Sequence, residues 1–180
     1  GNVWRADRPQ RGRYRQFTQC DIDIIGEPTN LAEIELISAT TTTLGKLGFK
    51  NFEIRINDRR ILKAMADYAG FPEDDYDEVF IILDKMDKIG LDGVKAELVE
   101  LGIEEAKVEK YTALFDGLKD KRDVADGVSY LKETLGDSIT EDVVDWMNEI
   151  ATAVNACKSA DFELALGNLE TARITAELYE

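Results

Sequence analysis

Two short segments near the start of the chain alternate apolar and polar residues, and this alternation constrains the fold more than any other feature. The segments are residues 3–7 and 19–24, and both have the two-residue period of a β-strand. Pro9 and Gly12 lie between them, in a stretch typical of a loop. The pattern predicts two antiparallel strands joined by a long basic loop, with Gly26 ending the second strand.

The next part of the sequence mixes helical and strand patterns. The spacing predicts a helix over 30–47, capped by Asn30 with Glu33 three residues further on. A third strand is predicted over 52–57, and a further helix follows it and ends at Gly70.

From residue 71 onward, apolar residues recur with the spacing of helices, and glycines separate the segments. The predicted helices cover residues 73–89, 91–101, 104–118, 121–135, 140–157 and 161–179. The predicted fold class is therefore α+β. Residues 1–70 are expected to form a partial antiparallel-sheet domain, and residues 71–180 an all-helical domain.

The composition excludes several kinds of site. The chain has 180 residues, no histidine and a net charge of −15. Histidine-dependent nucleophilic sites and histidine-ligated zinc are therefore excluded. Cys20 and Cys157 lie far apart in the sequence with no partner motif, which predicts two free thiols in a reducing compartment. We also find no membrane span and no secretory leader, so we expect a cytoplasmic protein. Residues 1–20 carry five arginines and one aspartate, which predicts a local anion site in an acidic chain.

Three other stretches resemble binding motifs but do not fit them. Residues 40–46 lack the first glycine of a phosphate-binding loop and fall within a predicted helix. The acidic residues at 73–78 follow Pro72 at a predicted helix start, where negative charge is favoured. Residues 84–92 lack the spacing of a calcium loop. We predict no metal bound by protein ligands alone.

The predicted hairpin gathers a distinctive set of groups on one face, because side chains alternate along a strand. On the first strand, Arg5 and Asp7 share a face. The corresponding set on the second strand is Arg15, Phe17, Gln19, Asp21 and Asp23. Leaving such groups buried and unpaired would cost about 1–3 kcal/mol each. A solvated, charged sheet face is the alternative, but a ligand site fits better, because arginine holds phosphate oxygens in a planar fork.

The hairpin sequence resembles motif 2 of the class II aminoacyl-tRNA synthetases, in the form found in the histidyl enzymes. The match rests on Arg-Pro-Gln-Arg-Gly-Arg-Tyr-Arg-Gln-Phe at residues 8–17, and residues 56–62 and 83–90 also resemble that family. The resemblance implies that the strands belong to the class II antiparallel sheet. It also implies that residues 71–180 are the helical insertion domain that follows motif 2, although beyond residue 101 the likeness is only one of position.

The resemblance implies an ATP-binding role for four hairpin residues. Arg5 is similar to the arginine that holds the ATP α-phosphate beside the carboxylate of the substrate histidine, and it is the expected catalytic residue. Asp7 stands where an acidic residue meets the adenine amino group, although glutamate is commoner there. Arg13 lies in the loop that approaches the triphosphate and the tRNA end, and Phe17 matches the ring that stacks on adenine.

Two further residues are implied to bind histidine together with Arg5. Gln19 matches the amide near the substrate amino group, and Asp23 matches the carboxylate that pairs with the imidazole. The implied enzyme activates L-histidine with ATP and Mg²⁺ and transfers it to the acceptor end of tRNA(His), as a homodimer away from any membrane.

The resemblance covers only part of such an enzyme. We find no match to the dimer-forming motif 1, to the histidine-binding segment or to motif 3, so we expect half an active site and no activity from this chain alone. Two alternatives stay open. One is a synthetase-like regulatory subunit of ATP phosphoribosyltransferase, whose known examples generally lack the insertion. The other is an RNA-binding module, which the acidity of residues 71–180 disfavours.

Overall fold

The computed structural model describes residues 1–50, 52–121, 123–157, 162–166 and 175–178. The first part of the chain contains the strands and helices β1 (Asn2–Trp4), β2 (Gln16–Thr18), α1 (Leu31–Lys46), β3 (Phe52–Ile56) and α2 (Arg59–Ala69). The later part contains α3 (Tyr76–Leu83), α4 (Met86–Glu100), α5 (Glu105–Leu118), α6 (Val124–Leu135), α7 (Glu141–Ala156), β4 (Phe162–Leu166) and β5 (Thr175–Leu178). Short 3₁₀ turns at Glu73–Asp75 and Gly136–Ser138 precede α3 and α7. The α+β fold class is confirmed.

The ends of α2 and α6 follow from local chemistry. Asp58 precedes α2 in an extended conformation, and its side chain accepts a hydrogen bond from the Arg60 amide at 2.7 Å. Gly70 ends α2 at φ 82°, a left-handed conformation that glycine adopts without strain. Asp123 caps α6 in the same way, accepting from the Ala125 amide at 2.9 Å.

The predicted cap of α1 is wrong. Asn30 has a helical backbone conformation and makes no side-chain capping bond. Its amide instead donates to the Glu149 carboxylate on α7 at 2.7 Å, a partner 119 residues away that local sequence does not reveal. The Thr29 hydroxyl accepts a bond from the Leu31 amide at 3.4 Å and takes over part of the capping role.

The predicted break at Gly90 is confirmed. Gly90 lies inside α4 with φ 69° and ψ 175°, so two helical stretches meet there at a kink. That backbone region is open almost only to glycine. The predicted helix over 73–89 is also divided, because α3 ends at Leu83 and α4 begins at Met86.

The helix predicted over 161–179 is wrong, because two strands occupy the described parts of that range. β3 lies at the centre of a three-stranded sheet, with β4 parallel on one side and β5 antiparallel on the other. Phe52 pairs with Phe162 in β4 and with Leu178 in β5. The β4 sequence contains good helix formers, and pairing with a distant strand overrides that local preference. The division into domains at residue 70 stays a prediction.

One core of buried apolar side chains extends from β3 and α2 through α7. β3 contributes Ile54, which is fully buried, and α2 contributes Ile61 and Met65 from one face. On α5, the Tyr111 ring lies between Phe71, at a centroid distance of 4.8 Å, and Phe115, at 5.4 Å. Within the described ranges, no helix is long and apolar enough to span a membrane.

Candidate functional site

The β1–β2 hairpin carries the candidate site, and its register decides which side chains meet. β1 and β2 are antiparallel, with Val3 opposite Phe17. The Arg5 amide continues the ladder by donating to the Arg15 carbonyl at 2.9 Å. The strands differ from those predicted at 3–7 and 19–24. β1 pairs with residues 16–18, and Gln19, just after β2, makes a backbone hydrogen bond to Gly1.

Arg5, Phe17 and Gln19 come together as the alternation predicts. An Arg5 guanidinium nitrogen, Nη2, donates to Gln19 Oε1 at 2.9 Å, and the guanidinium carbon lies 5.2 Å from the centre of the Phe17 ring. Gln19 Nε2 in turn donates to Asp21 Oδ1 at 2.6 Å. The contacts fix the arginine over the ring while the Arg5 side chain stays exposed and open to an anion.

Asp21 is a site residue to which the sequence analysis gave no role. It fixes which way the Gln19 amide points, since that amide donates to Asp21 and accepts from Arg5. The two-residue spacing of Phe17, Gln19 and Asp21 was the signal available in the sequence, because it places all three on one face.

The basic loop between the strands folds back on itself in a tight turn. Gln10 and Arg13 exchange two backbone hydrogen bonds, of 3.1 and 2.9 Å, and Gly12 supplies the positive φ of 77° that the turn needs. Asp7 lies close to this turn. Arg13 Nε is 4.0 Å from the Asp7 carboxylate, and Arg15 Nε donates to the Asp7 carbonyl at 3.3 Å.

Asp23 is not brought into this cluster. It lies on the exposed segment that follows β2 and takes part in none of the hydrogen bonds or ion pairs among the described residues. The structure thus joins Arg5, Phe17 and Gln19 in one cluster and Asp7 and Arg13 in a second. The role of each residue stays a prediction.

The first two rejected motifs lie in a helix or at a helix start, as predicted. Residues 40–46 fall inside α1, which excludes a phosphate-binding loop there. Residues 73–75 form the 3₁₀ turn that leads into α3, so the acidic residues do lie at a helix start. Residues 86–92 belong to α4.

Comparison with known proteins assigns the family. The family model of histidyl-tRNA synthetase matches residues 1–175. The chain belongs to the histidyl-tRNA synthetase family. The histidine–tRNA ligase of Leifsonia xyli is 60% identical over 98 residues, which cover 54% of this chain and 23% of the relative. That of Korarchaeum cryptofilum is 42% identical over 119 residues, covering 63% of this chain and 26% of the relative.

A solved structure of the same family supports the fold. The crystal structure of histidyl-tRNA synthetase from Nostoc sp. PCC 7120 matches 99% of this chain with a TM-score of 0.77 and 25% sequence identity. The match covers 42% of that protein. The alignments with the curated relatives span only about a quarter of the relatives' length.

Proposed function

We propose that this chain supplies the ATP- and histidine-binding hairpin of a histidine–tRNA ligase, with Arg5 as its catalytic residue. The contacts of Arg5 with Gln19 and Phe17 carry the proposal, because they hold an exposed guanidinium in one orientation before any ligand arrives. A charge held in advance stabilises a transition state better than one that must reorient.

In the proposed reaction, the carboxylate of histidine attacks the α-phosphorus of ATP and pyrophosphate leaves. Negative charge grows on the α-phosphate oxygens, and the Arg5 guanidinium donates hydrogen bonds to them. Mg²⁺ enters with ATP as part of the substrate. No side chain has to act as a nucleophile, so a chain without histidine can support the chemistry.

The neighbouring side chains take the binding roles. The Phe17 ring stacks on adenine, and Asp7 accepts a hydrogen bond from the adenine amino group. Arg13 leaves its long 4.0 Å contact with Asp7 and moves to the triphosphate, at small cost because exposed ion pairs of this kind contribute about 0–1 kcal/mol. Gln19 meets the substrate amino group.

Asp23 is proposed to select histidine by pairing with the imidazole. A polar site of this kind rejects amino acids that leave its carboxylate unpaired. Because Asp23 is exposed and apart from the Arg5 cluster, the proposal requires the segment after β2 to close on the ligand.

The helical part is proposed to lie beside the tRNA acceptor end and to contribute little RNA affinity of its own. Lys119 is held by Asp116 at 2.6 Å, and Lys121 lies over the Tyr130 ring at 5.4 Å. A third basic residue of this stretch, Arg122, lies outside the described residues. Submicromolar binding of an acceptor-stem RNA by this chain at physiological salt would contradict this view.

A chimera tests the catalytic proposal. The matching 98 residues of the Leifsonia xyli ligase are replaced by those of this chain, and histidine-dependent exchange of pyrophosphate into ATP is measured. We expect the chimera to be active and Arg5→Ala in it to lower kcat roughly 10²–10³-fold. Arg11→Ala, which removes the same charge from the turn of the loop, is the matched control and should have a much smaller effect. Equal losses in the two variants would refute the role of Arg5.

The isolated 180-residue chain is proposed to be inactive, because the matched relatives are about four times longer than the aligned segment. In the same exchange assay we expect no histidine-dependent signal above the background without enzyme. A rate near that of the complete Leifsonia xyli enzyme would overturn this part of the proposal while leaving the chimera test intact.

A further inference from the structure

The side chain of Gln19 is held at both ends of its amide group. Its Oε1 accepts a hydrogen bond from Arg5 Nη2 at 2.9 Å, and its Nε2 donates to Asp21 Oδ1 at 2.6 Å. The Gln19 backbone is fixed as well, because its amide donates to the Gly1 carbonyl at 2.8 Å. Gln19 is half-buried, whereas Arg5 and Asp21 are exposed. The amide therefore lies between two charged groups that a ligand can approach.

The chemistry of these two neighbours permits only one orientation of the Gln19 amide. A guanidinium group can only donate hydrogen bonds, and an ionised carboxylate can only accept them. A glutamine amide accepts at one end and donates at the other. If the amide turned over, its two N–H groups would face the Arg5 guanidinium and its oxygen would face the Asp21 carboxylate. Both contacts would then be repulsive, so Oε1 stays on the side of Arg5.

The roles proposed above weaken one of the two contacts when ATP binds. The exposed Arg5 guanidinium then directs its donors to the α-phosphate oxygens, and its hold on Gln19 loosens. None of those roles engages Asp21. Its hydrogen bond with Gln19 is the shorter of the two, and a charged acceptor makes such a bond stronger than a neutral one does. Asp21 is therefore the group that keeps the amide oriented while ATP is bound.

The orientation matters for the amino group of the substrate histidine. That group is protonated near neutral pH, and an ammonium group can only donate hydrogen bonds. It can therefore bind the Oε1 end of Gln19, whereas the Nε2 end would repel it. An amide oxygen has two lone pairs, and Arg5 occupies one of them, so the other remains for the ammonium.

We propose that Asp21 is the positioning residue that makes Gln19 an acceptor for the ammonium group of histidine. Asp21 acts through the Gln19 amide and does not touch the substrate. The inference rests on the proposed function, since that function places the substrate amino group at Gln19. It adds the group that lets this site recognise the amino group of an amino acid.

The test uses the chimera described above and two histidine analogues that compete with histidine in the exchange assay. Histidinol keeps the imidazole and the ammonium but lacks the carboxylate, whereas imidazolepropionate keeps the imidazole and the carboxylate but lacks the ammonium. We expect Asp21→Ala to weaken inhibition by histidinol about threefold to tenfold, the effect of one net hydrogen bond. Inhibition by imidazolepropionate and the KM for ATP should stay unchanged. A general disturbance of the hairpin would change all three.

Two further variants complete the experiment. Glu35→Ala is the matched control, because Glu35 is an exposed carboxylate on α1, outside the hairpin, and its loss should leave inhibition by both analogues unchanged. Gln19→Ala should weaken inhibition by histidinol at least as much as Asp21→Ala does. Adding Asp21→Ala to Gln19→Ala should have no further effect, because Asp21 then has no amide to orient.

The outcomes separate this inference from the proposed function. If Gln19→Ala weakens inhibition by histidinol and Asp21→Ala does not, the positioning role is overturned and the proposed function stands. If neither variant changes it, the proposed role of Gln19 fails as well. A further loss from Asp21→Ala in the Gln19→Ala background would mean that Asp21 contacts the ligand itself, and it too would overturn the positioning role.

Discussion

Substitution of Gly117 by alanine tests the packing of α5 against α6. A Cβ atom at this position would overlap Oη and Cζ of Tyr130 and lie 3.0 Å from Cε2. The clash involves the rigid ring of a partly buried side chain that also lies under Lys121, so it cannot be relieved by turning a flexible chain end.

Two opposing effects set the size of the change. Alanine favours the helical backbone over glycine by up to about 1 kcal/mol, and less near a helix end. Overpacking of a filled site typically costs about 1–3 kcal/mol. The cost of overpacking exceeds the gain in helix propensity, so we expect Gly117→Ala to lower the free energy of unfolding by about 1–2 kcal/mol.

A double-mutant cycle with Tyr130 separates the two effects. In a Tyr130→Ala background the clash is gone, so Gly117→Ala should become neutral or stabilising. Tyr130→Phe should not rescue, because the overlap with Cζ remains. Urea unfolding followed by circular dichroism measures the free energy of unfolding of the original chain, the two single variants and the double variant. Stabilisation by Gly117→Ala in the original background would refute the reasoning.

Three further changes probe the backbone, a cap and a buried hydroxyl. Gly90→Ala should lower the free energy of unfolding, measured in urea, by about 1–3 kcal/mol, because the kink needs φ 69° and ψ 175°. Lys88→Ala, the control in the same helix, should lower it little. Asp123→Ala should cost about 0.5–2 kcal/mol by removing the α6 cap, and Asp123→Asn should retain most of the stability. Burial raises the pKa of Tyr111, whose hydroxyl finds no hydrogen-bond partner among the described residues, so stability should fall as pH rises above about 10. Tyr111→Phe should be neutral or stabilising at pH 7 and should reduce the loss of stability above about pH 10. Thermal melts at pH 7 and above about pH 10 measure both effects.

The local sequence was a good guide wherever neighbouring residues control the outcome. Gly70 and Gly90 interrupt helices because their positive φ values suit glycine, and both interruptions were predicted. The common face of Arg5, Phe17 and Gln19 was predicted as well, because a hairpin places side chains by a fixed two-residue alternation.

Prediction failed where a distant partner decides. The Asn30 amide bonds Glu149 rather than capping its own helix, and nothing near Asn30 in the sequence signals that partner. A polar groove is another example, because its lining residues come from α2 and from the turns and helix starts at α3 and α7, which meet only after the helices pack. The acidic residues at 73–78 were interpreted from the sequence only as a helix start.

The sequence by itself determined much of the hairpin. Local residues set which side chains it carries, which face those side chains share and which family they resemble. Tertiary structure decided that the last described residues of the chain form strands, because β4 and β5 satisfy the backbone hydrogen bonds of both edges of β3. It also decided how the Arg5 guanidinium is held, because strand register fixes its distance from the Phe17 ring and Gln19. Alternation tells which side chains can meet, but only the folded chain sets how close they come.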